Sequence, residues 1–243
     1  ANAVTGERSA GGVAKAARDD DDDDESEDGD PKPEDLLPVR AVVLVDESGS
    51  LDEEAVKRER DAVSIFAETV ESDWEVAILP FGSSNGPGQN AVDHDCPLVK
   101  VESEANRQRL RECVLKIKKR GEEEGPDTDH AQALTDAVAE LKAAEGPALP
   151  VIFLLTDGKL DVERTERYGA SDRTATAQRQ IDEEILPDAK KNDIQVWPLG
   201  FGDVDKAALE KLARGGAQTN PRCPEAAASV PHPVFQPGPN ELA

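Results

Sequence analysis

Three oxygen-bearing side chains at alternate positions follow the first apolar run of the chain. Residues 41–45 are all apolar, and Asp46, Ser48 and Ser50 come directly after them. The run predicts a strand covered on both faces, so these side chains would lie on the loop at its carboxyl end, where open α/β sheets bind ligands. Calcium and magnesium prefer coordination shells made of oxygen. The spacing therefore predicts part of a site for a hard cation.

Two more oxygen-bearing side chains are expected at the same edge of the sheet. Asp157 follows shortly after residues 150–155, the most apolar run in the chain, and Thr128 lies on a loop before a predicted helix. In a parallel sheet whose strand order reverses beside the first strand, the ends of these two strands can be neighbours. Two carboxylates and three hydroxyls favour Mg²⁺, with Ca²⁺ or Mn²⁺ as alternatives, and leave one exchangeable position for a partner's carboxylate.

A different explanation of the first loop is that its polar side chains cap the helix that follows. A helix N-terminus takes an Asp or Ser cap, and the next helix is predicted to begin near residue 52. Capping accounts for one serine and does not account for Asp157. We therefore favour the metal site.

Strands and helices alternate from residue 39 onward, which predicts a doubly wound, mostly parallel α/β sheet flanked by helices. Strands are predicted at residues 41–45, 75–81, 98–101, 150–155 and 194–199, and helices at residues 52–70, 105–119, 131–144, 174–191 and 206–213. Val234 and Phe235 form a candidate sixth strand at the edge. The segment after them resembles the start of a helix that is cut short, and a disordered Pro-rich end is the alternative.

The predicted domain is residues 39–243, and residues 1–38 are expected to be a disordered acidic and Pro-rich leader, because a run of like charges cannot bury apolar area. The whole chain has 28 Lys and Arg against 52 Asp and Glu, a formal charge of −24. Such acidity argues against nucleic acid and against electrostatic docking on anionic membranes. We expect no direct membrane insertion, since no apolar run approaches the length of a membrane span.

The cysteines and the first residues bear on localisation. Cys96 and Cys113 could form a disulfide between the third strand and the helix after it, two buried free thiols being the alternative, and Cys223 is left without a partner. The chain lacks Met and starts with Ala-Asn-Ala, which suits signal-peptide removal or excision from a longer chain. We expect an extracellular or cell-surface location, with a cytoplasmic one as the alternative.

These motifs together resemble the von Willebrand factor type A domain family. Its metal-ion-dependent adhesion site (MIDAS) has Asp-x-Ser-x-Ser after the first strand, a Thr on a later loop and an Asp after the fourth strand. The chain fills all five positions in order, with Asp46, Ser48, Ser50, Thr128 and Asp157. Gly200-Phe201-Gly202 also matches the glycine-flanked apolar residue that the family shows after its fifth strand. The resemblance covers about residues 39–240 and implies a complete MIDAS and one antiparallel edge strand.

The resemblance implies a protein-binding module for adhesion or interaction rather than an enzyme. In this function the divalent cation would coordinate a carboxylate of the protein ligand. The alternative is a non-adhesive scaffold subunit of a larger assembly, like the type A domains associated with metal-chelatase ATPases. His94 lacks other ligands at zinc spacing. His130, Ser50 and Asp157 lack the strand–turn–helix elbow of a catalytic triad.

Two charged segments complete these expectations. Lys116, Lys118, Lys119 and Arg120 are predicted to lie around the last turn of the helix at residues 105–119, where cations suit the helix dipole. The long segment at residues 159–173 contains Arg164, Arg167 and Tyr168 and is predicted to contact a partner, with an ordinary surface loop as the alternative.

Overall fold

The computed structural model describes residues 37–86, 89–157, 159–201 and 204–218, together with the backbone of residues 234–236. The elements used below are β1 (Val39–Asp46), α1 (Glu53–Thr69), β2 (Glu75–Phe81), β3 (Val99–Lys100), α2 (Glu104–Lys116), α3 (His130–Ala143), β4 (Leu149–Thr156), α4 (Arg173–Gln180), α5 (Leu186–Lys191), β5 (Gln195–Phe201), α6 (Lys206–Gly215) and β6 (Val234–Gln236). A π-helical turn, Ile181–Ile185, joins α4 to α5.

The strands form one sheet in the order β3-β2-β1-β4-β5-β6. β1 pairs in parallel with both β2 and β4, so the strand order reverses beside it. β3 is antiparallel to β2 at one edge, and β6 is parallel to β5 at the other. The predicted doubly wound, mostly parallel sheet with one antiparallel edge strand is confirmed. The carboxyl ends of β1 and β4 lie side by side, with Val45 opposite Leu155.

The side chains of β1 alternate between two apolar layers. Val42 and Leu44 belong to an apolar cluster with residues of α3, α4, α5 and α6, whereas Val43 and Val45 belong to a second cluster with residues of α1 and α2. A strand covered on both faces needs apolar side chains throughout, which explains the unbroken run at residues 41–45. The first polar side chain after this run is Asp46, which is itself fully buried at the edge of the sheet.

The end of α2 differs from the sequence prediction. The helix ends at Lys116, so Lys118, Lys119 and Arg120 lie beyond it, and the explanation by the helix dipole is wrong for these three residues. The chain leaves the helix here because the backbone N–H groups of Lys118 and Arg120 donate to Glu47, to its carboxylate at 2.8 Å and to its carbonyl at 2.8 Å. A contact with a loop distant in sequence therefore ends the helix.

Cys96 and Cys113 form the expected disulfide, and both are buried. Of the predicted leader at residues 1–38, residues 1–36 lie outside the described part of the chain. Cys223 and the predicted helix start near residue 240 also lie outside it. None of the helices in the described ranges combines the length and apolar character needed to cross a bilayer.

Candidate functional site

Asp46, Ser48 and Ser50 form a compact turn at the carboxyl end of β1. Asp46 Oδ1 accepts a hydrogen bond from the backbone N–H of Ser48 at 2.8 Å. The hydroxyls of Ser48 and Ser50 share a hydrogen bond at 2.9 Å. Neither serine caps α1, because Asp52 does so by accepting a hydrogen bond from the N–H of Ala55 at 2.7 Å. The helix-cap explanation of these side chains is therefore wrong.

Asp157, directly after β4, joins this turn. Its Oδ1 accepts a hydrogen bond from Ser50 Oγ at 3.3 Å. Thr156, the last residue of β4, donates from its hydroxyl to Asp46 Oδ2 at 2.7 Å. Hydrogen bonds thus join the ends of β1 and β4 across the sheet. Thr156 is not among the site residues predicted from the sequence, although its place at the end of an apolar strand beside Asp157 is a usable signal.

Backbone contacts place Thr128 beside the same turn. The N–H of Gly49 donates to the carbonyl of Pro126 at 2.6 Å, and Thr128 exchanges two backbone hydrogen bonds with Asp161 at 2.9 and 3.0 Å. Within the described residues, the Thr128 hydroxyl makes no hydrogen bond to the other predicted ligands. The structure therefore brings Asp46, Ser48, Ser50 and Asp157 into one hydrogen-bonded group and holds the Thr128 backbone next to it.

A buried ion pair supports the turn from the side of β2. Arg120 Nε donates to Glu47 Oε2 at 3.1 Å, and the two side chains are only 7% and 6% exposed. Arg120 also donates to the carbonyl of Asn90 at 2.5 Å. Burial raises the pKa of Glu47, while the N–H of Lys118 and the charge of Arg120 oppose that rise. Glu47 and Arg120 thus connect the turn after β1 to the segment after α2 and to the loop that contains Asn90.

Residues 159–172, between β4 and α4, fix the segment that carries Thr128. Arg164 Nε donates to Asp127 Oδ1 at 2.8 Å, and the Tyr168 hydroxyl donates to Asp129 Oδ1 at 2.6 Å. Both acceptors are direct neighbours of Thr128 in sequence. Tyr168 is buried, so the expectation that it contacts a partner is wrong. In the structure this loop braces its own chain.

The two carboxylates of the group lie in an unfavourable environment for negative charge. Burial raises the pKa of Asp46. Burial, and then the nearby charge of Asp46, raises the pKa of Asp157 to about 6, although the hydroxyl of Ser50 opposes the rise. A cation beside both groups would favour their charged forms. The electrostatics therefore suit a positively charged occupant.

The donor set fits a hard cation, because every contributing atom is an oxygen. Among the described residues, no group of three or more His, Cys, Asp or Glu side chains is arranged to hold a metal. An ion bound to Asp46 and Asp157 would consequently depend on hydroxyls and water for the remaining positions. Magnesium commonly binds in this way, through one or two carboxylates and several waters.

The two histidines considered in the sequence have other contacts. His94 Nε2 lies 3.1 Å from Asp136 Oδ2. His130 is buried, and its Nε2 lies 3.2 Å from the hydroxyl of Thr156 rather than pairing with Ser50. Burial lowers the pKa of His130 to about 4, so the ring is neutral at pH 7. His130 thus contacts Thr156, which itself donates a hydrogen bond to the candidate ligand Asp46.

The comparison with protein families gives one match. The model of the von Willebrand factor type A domain matches residues 41–227, which include all five predicted site residues. No curated protein is significantly similar to the chain in sequence.

Solved structures of low sequence identity share the fold. A von Willebrand factor type A structure from Catenulispora acidiphila is 18% identical, with a TM-score of 0.59, over 85% of this chain and 40% of that chain. Proximal thread matrix protein 1 from the mussel byssus is 18% identical, with a TM-score of 0.54, over 79% and 46%. BatB, a conserved hypothetical protein from Bacteroides thetaiotaomicron, is 14% identical, with a TM-score of 0.54, over 84% and 93%. This chain thus spans less than half of the first two proteins.

Proposed function

Because the chain belongs to the von Willebrand factor type A domain family, we propose that it is a protein-binding module that holds its ligand through a divalent cation. The ion in this proposal is Mg²⁺, with Ca²⁺ and Mn²⁺ as alternatives. The residues that would hold it are Asp46, Ser48, Ser50, Thr128 and Asp157. A carboxylate of the protein ligand would complete the coordination of the ion, so the function is adhesion or interaction rather than catalysis.

The observation that carries this proposal is the hydrogen-bonded group at the ends of β1 and β4. Ser50 links the turn after β1 to Asp157 after β4 at 3.3 Å, although the two residues are 107 positions apart in sequence. Two buried or half-buried carboxylates converge here with hydroxyl oxygens, and their hydrogen-bond partners in the described part of the chain include no basic side chain. Such a set attracts a hard cation.

The exposure of the group leaves room for a ligand. Asp46 and Ser48 are 0% and 1% exposed, whereas Ser50 is exposed and Asp157 is half-buried. The buried oxygens would anchor an ion, and the open side at Ser50 would admit a partner's carboxylate. This asymmetry supports ligand binding over a purely structural ion.

We propose an extracellular or cell-surface location, because disulfides such as Cys96–Cys113 persist in oxidising compartments. The competing function is a non-adhesive scaffold subunit in a cytoplasmic assembly. Mass spectrometry of the unreduced native protein separates the two. A bridged pair supports export, and free thiols at Cys96 and Cys113 support the cytoplasmic scaffold.

Metal binding is tested by titrating Mg²⁺, Ca²⁺ and Mn²⁺ into EDTA-treated protein by isothermal titration calorimetry. We expect one site, and a loss of affinity of about 100-fold or more in Asp46→Ala and Asp157→Ala, since even outer-shell substitutions weaken metal sites by about 10–100-fold. Asp73→Ala is the matched control, because Asp73 is an exposed carboxylate just before β2, at the opposite end of the sheet. Equal affinity in all variants would contradict the proposal.

Ligand coordination is tested with a carboxylate probe. N-acetyl-glutamate amide is titrated into isotopically labelled protein and followed by NMR, with Mg²⁺ or with EDTA. We expect the probe to shift resonances of residues 46–50 and 157 in the presence of Mg²⁺ but not in EDTA. The matching glutamine derivative should shift none of them in either condition. Shifts that persist in EDTA would rule out coordination through the ion.

A further inference from the structure

α1 carries a carboxylate on its buried face. Glu59 is 1% exposed and lies between Val56 and Val63, two residues that pack against the sheet. Glutamate is almost never fully buried unless it is paired. Within the described residues, neither carboxylate oxygen of Glu59 has a hydrogen-bond partner. An apolar side chain would be expected at this position of an amphipathic helix.

The buried face of α1 that carries Glu59 packs in the same apolar cluster as Val45 and Leu155, the paired residues at the ends of β1 and β4. Burial, and then the carboxylates of Asp46, Asp157 and Glu47 in that order, raise the pKa of Glu59 well above its usual value. Arg58 on the same helix opposes them. Two of these three carboxylates are predicted ligands, and the third lies between Asp46 and Ser48 in sequence.

We propose that Glu59 is a third acidic group of the cation site, which adds negative charge from the buried side of the ligands. It is not a direct ligand, because the described residues contain no cluster of three acidic, His or Cys side chains arranged to hold a metal. It is also absent from the five positions of the family's motif. The inference rests on the proposed function, since it requires an ion between Asp46 and Asp157.

The physical reason is charge balance. Without an ion, the buried carboxylate of Glu59 is repelled by the carboxylates of Asp46 and Asp157 and has no hydrogen bond within the described residues to compensate it, which is unfavourable. A cation held by Asp46 and Asp157 would attract Glu59, and this attraction grows in proportion to the ion's charge. Glu59 therefore strengthens cation binding and weakens the metal-free fold. A residue with only a packing role would not have these opposite effects.

The test measures ion affinity and stability in the same variants of the full chain. Mg²⁺, Ca²⁺ and Tb³⁺ are titrated by calorimetry into the wild type, Glu59→Gln and Glu59→Leu, and urea unfolding is followed in EDTA. We expect Glu59→Gln to bind Mg²⁺ about tenfold more weakly, with a larger loss for Tb³⁺. Both variants should unfold at higher urea concentration than the wild type in EDTA. Glu71→Gln removes the same charge from an exposed position just beyond the far end of α1 and should match the wild type.

The outcomes distinguish this inference from the proposed function. If the wild type binds Mg²⁺, Asp46→Ala does not, and Glu59→Gln binds as the wild type does, the role of Glu59 is overturned and the proposed function stands. If the variants lose the same factor of affinity for Mg²⁺ and for Tb³⁺ and are less stable than the wild type in EDTA, Glu59 has a packing role only. If the wild type binds none of the ions, both proposals fail.

Discussion

Gly125 and Ser83 are in backbone contact so close that no side chain fits at Gly125. The N–H of Ser83 donates to the carbonyl of Gly125 at 2.9 Å. A Cβ at Gly125 would lie 1.8 Å from the carbonyl oxygen of Ser83, and the φ angle of Gly125 is +80°. Gly125 lies three residues before Thr128, so this contact sets the path of the segment that brings Thr128 to the candidate site.

We therefore expect Gly125→Ala to destabilise the fold strongly. The control is Gly146→Ala, because Gly146 has a similar φ of +86° but open space around its Cα. The left-handed backbone alone costs about 1–2 kcal/mol for alanine, so the free energy of unfolding should fall by that amount in Gly146→Ala. It should fall clearly more in Gly125→Ala, as measured by urea unfolding of both variants. Equal losses would show that the loop relaxes away from Ser83 at little cost.

The ion pair between Glu47 and Arg120 should contribute more than the surface pairs. Arg120→Ala leaves Glu47 charged or protonated in a buried place, so we expect the free energy of unfolding to fall by about 3–5 kcal/mol. Arg111→Ala is the control, because Arg111 forms its ion pairs with exposed Glu68 and Glu104, and its removal should lower the free energy of unfolding far less. Urea unfolding measures both. Similar losses in the two variants would argue against the role of the buried pair.

Glu59 should make the metal-free protein less stable as the pH rises. Its folded pKa is raised above its unfolded value, so the unfolded state releases its proton first, from about pH 4.5 upward. Between that pH and the folded pKa, wild-type stability in EDTA should fall relative to Glu59→Gln by up to about 1.4 kcal/mol per pH unit. The charges that act on Glu59 are Asp46, Glu47, Asp157 and Arg58. Parallel stability profiles of the two proteins would contradict this expectation.

Reduction of the disulfide should destabilise the native fold. Cys96 and Cys113 are 17 residues apart, and closing a loop of that size contributes about 3 kcal/mol in an entropic account. We expect dithiothreitol to lower the urea midpoint of the wild type and to leave a Cys96→Ser/Cys113→Ser double variant unchanged. A midpoint that does not respond to reductant would show that the bridge constrains little.

The sequence predicted the sheet well because its strands are buried on both faces. β2 has the predicted bounds of residues 75–81, and Asp46 and Asp157 lie at adjacent strand ends as expected from the reversal of strand order at β1. The end of α2 could not be predicted, because it depends on contacts with Glu47, which is 71 residues away from Lys118.

The supporting residues of the candidate site were harder to predict than the ligands for the same reason. Asp46, Ser48 and Ser50 form a local pattern that can be read along the chain. The hydrogen bond of Thr156 to Asp46 and the burial of Glu59 arise from packing between distant segments. Helical periodicity placed apolar residues around Glu59, but it did not show that a carboxylate occupies the buried face.

The bond from Thr156 to Asp46 spans 110 positions, and that from Ser50 to Asp157 spans 107. The candidate site can therefore assemble only after β4 has docked beside β1, a step that requires closing a loop of more than a hundred residues. Before this docking the nascent polypeptide has no complete binding centre. Ion uptake would thus report that folding has finished, and a protein with a misassembled sheet would remain unable to engage a partner.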